Sequence, residues 1–256
     1  MPDQVGPDPR HFNAHAAVYD RGRPPYPQVL WDRLGELRVL GAGTRVVELG
    51  AGSGQATGPM LRAGATVTAV EPGPALAALL KQRWPEVIVY LGTAEAVVLP
   101  DAAFDLAVVA TAIHWFDLPV VLPKLHRTVV PGGHLAVCRT AFGNPAAPLT
   151  AFRERVSQIA ARRTPVPSGS TPGELDTASW ARRLTASGHF VTTHVEEFAW
   201  TVELTTAQVK DLFTTFSNWT AAEVEEAACA VEDLGGMVLE HYLTPLILMR
   251  RAAGAH

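Results

Sequence analysis

The sequence has few cysteines, no long hydrophobic run and no excess of basic charge, and each shortage excludes a class of protein. Its 256 residues include only two cysteines, Cys138 and Cys229, which form neither a CxxC pair nor a metal-binding spacing. We therefore expect two reduced thiols, as in an intracellular protein, and no metal site. The longest apolar run, 106–113, is far shorter than the ~20 residues of a membrane-spanning helix. The net charge of −4 does not favour binding to nucleic acid or to an anionic membrane surface.

The beginning of the chain lacks the features of a secretory signal. The segment MPDQVGPDPRHF has no basic region followed by an apolar one. The overall content of 48% hydrophobic and 18% charged residues is ordinary for a globular protein with a sizeable core. These features predict a cytoplasmic protein without nucleic-acid or membrane partners. They do not indicate an oligomeric state.

The first part of the chain alternates short β-branched runs with helical stretches. This alternation predicts an α/β fold with a doubly wound, mostly parallel sheet. The predicted strands are 44–49, 66–71, 87–92, 104–112 and 134–142, and the predicted helices are 54–65, 73–84 and 117–130.

The regular alternation of predicted strands and helices ends after Phe142. Apolar residues at helical spacing predict a helix within 148–163, and another is predicted at about 176–187. Thr205 and Thr220 each open a capping-box pattern, which predicts that a helix begins there. The last predicted strands are 189–202 and 238–251, and Pro245 fits best near an edge or a bulge.

The segment VVELGAGSGQATG, residues 46–58, carries three glycines immediately after a strand that ends with an acid. A dinucleotide-binding loop has the pattern G-x-G-x-x-G. Counted from Gly50, the last glycine position is Gln55; counted from Gly52, it is Thr57. The loop therefore does not fit a pyrophosphate-binding fingerprint in either frame.

Two acids near this loop favour a cationic ligand. Glu48 beside a pyrophosphate would be repelled, whereas an ammonium and a sulfonium group, as in S-adenosylmethionine, would tolerate it. Glu71 lies 19 residues after Gly52. An acid about 20 residues beyond such a loop binds ribose hydroxyls in nucleotide-binding folds.

Several further segments carry a family resemblance. They are HFNAHAAVYDRGRPPYP (11–27), VELGAGSGQAT (47–57), VEPG (70–73), GTAEAVVLPDAAFD (92–105), ATAIHWFD (110–117) and LHRTVVPGGHLAV (125–137). On these motifs the sequence resembles the class I S-adenosylmethionine-dependent methyltransferases. Within them it is similar to the small-molecule branch of the trans-aconitate methyltransferases. The resemblance is good over about 11–142 and weaker in LFTTFSNWT and the last strand.

The resemblance implies a Rossmann-like fold whose final strand is antiparallel, and S-adenosylmethionine as the cofactor. It implies one domain made of an N-terminal lid at 1–27, a cofactor-binding core at 28–142, a helical insertion at 143–188 and, at 189–256, the last strands with substrate-pocket helices. At Thr93 the family often has Asp or another polar acceptor for adenine, so Ala94 and Glu95 would carry more of that contact. The implied cofactor-binding residues are Tyr19, Arg23, Glu48, Gly50, Ala51, Gly52, Gln55, Glu71, Pro72, Thr93, Ala94, Glu95, Thr111 and His114.

Methyl transfer from a sulfonium needs a positioned nucleophile, and a base only where that nucleophile is protonated. His114 is the candidate catalytic residue, although it equally fits a role in shaping the pocket or binding the cofactor carboxylate. Arg139 could pair with a substrate carboxylate. Phe213 and Phe216 also fit a plain helix core. The candidate substrate-binding residues are Phe12, His15, Trp115, Arg139, Phe213, Phe216 and Trp219.

The sequence thus predicts a methyltransferase that acts on a small organic molecule by O- or N-methylation, most plausibly at a carboxylate or hydroxyl. The absence of a D/N-P-P-Y/F motif argues against methylation of DNA bases. Two alternatives stay open. One is a protein of this fold that binds the cofactor but catalyses another reaction or only binds a ligand. The other, which Gln55 and Glu48 disfavour, is an NAD-dependent oxidoreductase.

Overall fold

A computed structural model describes residues 13, 16–163, 173, 176–216 and 218–254. Phe12 and His15, both predicted to bind substrate, lie outside the described residues. The chain forms two compact units. Unit 1 comprises 1–25, 142–170 and 199–243, and unit 2 comprises 26–141, 171–198 and 244–256, each as far as it is described.

Eight strands form one mixed sheet. They are β1 (Arg45–Leu49), β2 (Thr66–Glu71), β3 (Ile88–Leu91), β4 (Phe104–Ala110), β5 (Val129–Cys138), β6 (Ala141–Phe142), β7 (Phe190–Thr205) and β8 (Met237–Arg251). The order is β3-β2-β1-β4-β5-β8-β6, and β7 also pairs with β8. Strands β1 to β5 pair in parallel, whereas β8 runs antiparallel to β5. The predicted fold class is confirmed.

The centre of the sheet in unit 2 is buried on both faces. Val46 and Val47 are neighbours on β1, yet they belong to two separate apolar clusters. This follows because successive side chains of a strand point to opposite faces. The helices of unit 2 are α2 (Gln28–Glu36), α3 (Thr57–Arg62), α4 (Pro74–Arg83), α5 (Leu118–Thr128) and α7 (Thr177–Thr185).

Unit 1 has its own core, in which Phe152, Leu212, Phe213 and Val231 are buried together. Both predicted capping boxes are present, at Thr205 and Thr220, so the predicted helix starts are confirmed. The helices of unit 1 are α1 (Ala16–Gly22), α6 (Ala151–Ala161), α8 (Thr206–Thr214) and α9 (Ala221–Asp233).

The predicted strand 134–142 has two wrong boundaries, one near the glycines at 132 and 133 and one opposite a proline. The strand predicted at 134–142 begins earlier, at Val129, because the chain passes through 131–133 as an irregular stretch of strand that shifts the register against β4. That strand stops at Cys138 and resumes at Ala141. Opposite this break lies Pro245, which has no N–H to donate to the ladder.

Candidate functional site

The glycine loop joins β1 to α3 and has an unusual backbone. Gly50, Gly52 and Gly54 have φ values of 70°, 58° and 88°, in the left-handed region that glycine adopts without strain. The N–H groups of Gly50 and Ala51 donate to the Val70 carbonyl at 2.8 and 3.2 Å. The loop is therefore folded back over the end of β2, and the predicted helix at 54–65 begins only at Thr57.

The Glu71 carboxylate fastens this loop to the end of β2. Its Oε2 accepts the Gly52 N–H at 2.8 Å and its Oε1 accepts the Gly73 N–H at 2.8 Å. Burial raises the pKa of Glu71, and the two backbone hydrogen bonds lower it by less. Both oxygens keep a further lone pair, so this carboxylate is oriented in advance and can still accept hydrogen bonds from a ligand.

The Glu48 carboxyl is buried on β1. Its residue is 1% exposed, and one carboxyl oxygen accepts the Thr57 hydroxyl proton at 2.5 Å. Burial, with a smaller contribution from Glu71, raises the pKa of Glu48 to about 8. The pKa is raised because Glu48 lies on a central strand covered on both faces. The prediction that Glu48 contacts the cofactor stays a prediction, although the raised pKa favours the protonated form of its carboxyl.

Neighbouring side chains leave the glycines of the loop little room. A Cβ at Gly50 would lie 2.5 Å from the Ala112 Cβ, and one at Gly54 would lie 3.0 Å from Trp84. Packing inside unit 2 therefore excludes a side chain at 50, whereas a side chain at 54 would require Trp84 to shift. The hydroxyl of Ser53, in the same loop, is buried and has no hydrogen-bond partner among the described residues.

Lys124 organises the turn that follows β3, and the sequence analysis did not identify it. From helix α5 its Nζ donates to the carbonyls of Ala94, Glu95 and Val97 at 2.7, 2.5 and 2.7 Å. The Glu95 carboxylate in turn accepts the Asp117 N–H at 3.0 Å. The available signal was a single lysine inside an apolar helix, where a partly buried cation needs partners.

The segment after β4 brings three predicted residues together. Thr111 has a φ of 56°, a left-handed conformation that is strained for a branched residue. Its Oγ1 lies 2.7 Å from the Tyr26 hydroxyl and accepts the Thr140 N–H at 3.3 Å. His114 and Trp115 follow in a single 3-10 turn, with ring centroids 4.7 Å apart, and both are half-buried.

Arg139 follows β5 and is buried. It lines a small cavity of unit 2 together with Ile113, Thr177, Trp180 and Pro245. Its backbone N–H donates to the Pro245 carbonyl at 3.4 Å. The prediction that it pairs with a substrate carboxylate stays a prediction.

The other predicted residues that are described belong to unit 1. The Arg23 guanidinium lies 5.5 Å from the Tyr19 ring centre and 4.7 Å from that of Phe216. Phe213 is fully buried, with its ring 4.3 Å from that of Trp219. Phe213 is therefore a core residue with no exposed surface for a ligand. The sequence analysis had left this role open beside substrate binding.

Most predicted cofactor-binding residues therefore share one edge of the sheet in unit 2. They follow the carboxyl ends of β1 to β4, the edge where parallel sheets bind nucleotides. These are Glu48, Gly50, Ala51, Gly52, Gln55, Glu71, Pro72, Thr93, Ala94, Glu95, Thr111 and His114.

Within the described ranges, no three His, Cys, Asp or Glu side chains lie close enough together to hold a metal ion. In the same part of the chain, no helix combines the length and apolar character needed to cross a bilayer.

Comparisons with known proteins agree with this geometry. A sequence model described as a methyltransferase domain matches residues 47–137. An uncharacterized methyltransferase of Mycobacterium tuberculosis is 37% identical over 126 residues, which is 49% of this chain and 50% of the relative. The malonyl-[acyl-carrier protein] O-methyltransferase of Serratia marcescens is 32% identical over 113 residues, 42% of this chain and 44% of that protein. The chain thus spans about half the length of the curated relatives it matches.

The fold is also similar to solved structures over most of its length. A structure from Anaeromyxobacter dehalogenans, whose assignment as a type II methyltransferase is itself provisional, superposes with a TM-score of 0.66. The two are 25% identical, and the match covers 90% of this chain and 97% of that one. The narrower likeness to trans-aconitate methyltransferases stays a prediction.

Proposed function

We propose that this chain is a class I methyltransferase and that it transfers a methyl group from S-adenosylmethionine to a small organic molecule. The observation that carries the proposal is the Glu71 carboxylate, which is fixed by the Gly52 and Gly73 N–H groups beside a left-handed glycine loop. A carboxylate held in this way can accept hydrogen bonds from both hydroxyls of a ribose.

The residues of unit 2 fit an adenosyl ligand. Glu71 would hold the ribose, the backbone of the glycine loop would lie along the amino-acid end, and Ala94 and Glu95 would meet the adenine. The turn carrying Ala94 and Glu95 is held by Lys124. The raised pKa of Glu48 weakens one argument against a dinucleotide. The argument from Gln55 and Thr57 stands, because neither fits the last glycine position.

When bound, the cofactor supplies a methyl group on a sulfonium. The chain itself has to hold the nucleophile about 3 Å from the reacting carbon and to keep water away. The imidazole of His114 would accept the proton of a hydroxyl or ammonium nucleophile. A carboxylate nucleophile would need no base. The Serratia marcescens relative is named as an O-methyltransferase, which favours oxygen over nitrogen as the acceptor atom.

Calorimetric titration tests the cofactor assignment directly. We expect S-adenosylhomocysteine to bind to the purified protein and NAD not to bind. NAD binding without S-adenosylhomocysteine binding would favour the oxidoreductase alternative.

A second assay tests catalysis. The protein is incubated with S-adenosylmethionine and panels of acids, phenols and amines, and formation of S-adenosylhomocysteine is followed. We expect product with at least one oxygen nucleophile. Tight cofactor binding with no turnover over broad panels would favour the alternative of a protein that binds without methylating. The expected cytoplasmic location is part of the same proposal.

A further inference from the structure

Two polar side chains of β8 are buried in unit 1 on one face of the strand. Glu240 is 0% exposed and Tyr242 is 2% exposed. They are two residues apart, so their side chains point the same way and their Cα atoms are separated by about 7 Å. Neither residue belongs to a motif, and the sequence analysis did not select them.

Each side chain has a polar atom whose hydrogen bonding is incomplete. Oε1 of Glu240 accepts the Thr150 hydroxyl proton at 3.2 Å. Oε2 of Glu240 and the hydroxyl of Tyr242 are buried and have no hydrogen-bond partner among the described residues. Leaving a buried polar atom unpaired costs free energy, so two such atoms together indicate that another molecule completes them.

Arg153 forms an ion pair with Glu240 but does not donate a hydrogen bond to it. Arg153 Nε lies 3.8 Å from Glu240 Oε2, beyond hydrogen-bonding distance. The guanidinium is already fixed, because Nη2 donates to the Phe142 carbonyl at 3.0 Å and Cζ lies 4.1 Å from the Phe142 ring centre. It also lies directly on Gly143, where a Cβ would be 1.3 Å from Nη2. Moving Arg153 toward Glu240 would break these contacts.

Aromatic rings pack around Tyr242. Trp200 stacks on Tyr242 with centroids 4.8 Å apart, and Phe142 meets Tyr242 edge-on at 5.7 Å. Phe216 lies 6.0 Å from Phe142. Trp200, Phe142 and Phe216 are only half-buried, so each keeps surface that a ligand can cover. Flat apolar walls around a few polar groups are typical of small-molecule sites.

We propose that Glu240 and Tyr242 form a subsite in unit 1 for the hydroxyl group of a ring-containing small molecule. A hydroxyl can donate to Glu240 Oε2 and accept from the Tyr242 hydroxyl at the same time. A carboxylate cannot donate and would bring a second negative charge, and an ether cannot donate. The inference rests on the proposed function in one respect, which is that it identifies the bound molecule as the substrate of the methyl transfer. That substrate would then be a phenol or an alcohol and not an acid.

Three probes with the same ring system test the chemistry. They are 2-naphthol, 2-methoxynaphthalene and 2-naphthoate, titrated calorimetrically into the full chain at pH 7.5 without cofactor. We expect 2-naphthol to bind at least about tenfold more tightly than the other two, the ratio that corresponds to a lost hydrogen bond with a buried partner. Equal binding of 2-naphthol and 2-methoxynaphthalene, preference for 2-naphthoate, or no binding of 2-naphthol would overturn the proposal.

Tyr242→Phe separates a binding role from a structural one. It removes one oxygen that has no described partner, so we expect the thermal midpoint to stay or rise while the preference for 2-naphthol over 2-methoxynaphthalene falls at least threefold. The matched control is Tyr90→Phe, an exposed tyrosine of β3 in unit 2, which should leave the preference intact. A lower midpoint with unchanged preference would mean that the hydroxyl is structural and would overturn the proposal.

Glu240→Gln provides a second readout. It keeps an oxygen for the Thr150 hydroxyl but weakens the acceptor, so the same preference should fall. Unchanged selectivity in a folded Glu240→Gln protein would count against the subsite.

The outcome is separable from that of the proposed function. Binding of S-adenosylhomocysteine without any preference for 2-naphthol would end this inference and leave the methyltransferase proposal standing. Selective binding of 2-naphthol without binding of S-adenosylhomocysteine would support this inference and end the methyltransferase proposal.

Discussion

Three buried glutamates, Glu48, Glu71 and Glu240, have pKa values above the usual range because burial disfavours their charged forms. Burial raises the pKa of Glu48 to about 8 and that of Glu240 to about 7. A raised carboxyl pKa means that the folded protein binds protons which the unfolded chain has released. These groups therefore make stability fall as pH rises from about 4.5 through the folded pKa values, and the loss is complete above about 8.

We predict that Glu48→Gln weakens this pH dependence. The wild type should lose stability between pH 5 and pH 8, and the variant should lose about 2–4 kcal/mol less over the same interval. Urea unfolding at both pH values measures the difference, with the exposed Glu86→Gln as control. An equal loss in the wild type and in Glu48→Gln would contradict the raised pKa.

Glu71→Ala should weaken binding of S-adenosylhomocysteine by about 1–3 kcal/mol, the cost of losing a charged hydrogen-bond partner. The change also frees the Gly52 and Gly73 N–H groups, so stability is measured beside affinity. Glu86→Ala, at an exposed position, is the matched control. Calorimetry that gives unchanged affinity would argue against a ribose contact.

At the scale of single residues, the sequence predicts where side chains lie better than it predicts their pKa values or their hydrogen bonding. The spacing of Glu48 and Glu71 around the glycine loop could be read from the chain. The raised pKa of Glu48 could not, because it depends on how completely other strands and helices cover β1. Glu240 and Tyr242 gave no signal either, since a strand with alternating buried residues looks the same whether or not its polar atoms are paired.

At the scale of elements, hydrophobic periodicity predicts the regular parts well. The predicted strand 66–71 coincides with β2, and both capping boxes mark the starts of their helices. The errors lie at glycine and proline. Residues 131–133 look like a turn but continue β5, because pairing with β4 through a register shift outweighs the local turn preference.

We predict that Gly50→Ala is much more damaging than Gly132→Ala. Both positions have positive φ, 70° and 81°, so both substitutions carry a strain of about 1 kcal/mol. Only at Gly50 would the new Cβ collide with Ala112, at 2.5 Å, whereas nothing lies within 4 Å at Gly132.

Urea unfolding should show an additional loss of about 1–3 kcal/mol for Gly50→Ala, the usual cost of overpacking. Titration should show weaker binding of S-adenosylhomocysteine for that variant alone. Similar results for the two variants would mean that the loop adapts to a side chain.

At the scale of the whole molecule, the sequence predicts less. Unit 1 draws on three separated stretches of chain, and the division between the units falls inside the predicted insertion 143–188. Local composition and periodicity do not indicate which distant segments of the chain pack together.

We predict that removing residues 1–22 both destabilises unit 1 and abolishes most turnover. Helix α1 belongs to that unit, and Gly22 fits so closely on α8 that a Cβ there would lie 2.6 Å from the Asp211 backbone. Arg21 also pairs with Asp211 at 3.3 Å. Thermal unfolding and the methyl-transfer assay measure the two effects.

A protein that lacks only residues 1–12 serves as the control, since it keeps α1. If both truncated proteins unfold at the same temperature as the full chain, α1 contributes nothing to unit 1. If the protein that lacks residues 1–22 also catalyses methyl transfer at the full rate, the predicted role of 1–27 as a lid is wrong.

Strand β8 supplies Val238 to the core of unit 1 and Ile247 and Met249 to that of unit 2. During synthesis on the ribosome, both cores therefore stay unfinished until the residues of this one strand have emerged. A nascent chain lacking it would expose apolar surface in both units at once, which makes it a target for chaperones. A stop codon anywhere before β8 should yield insoluble or degraded product and no folded fragment.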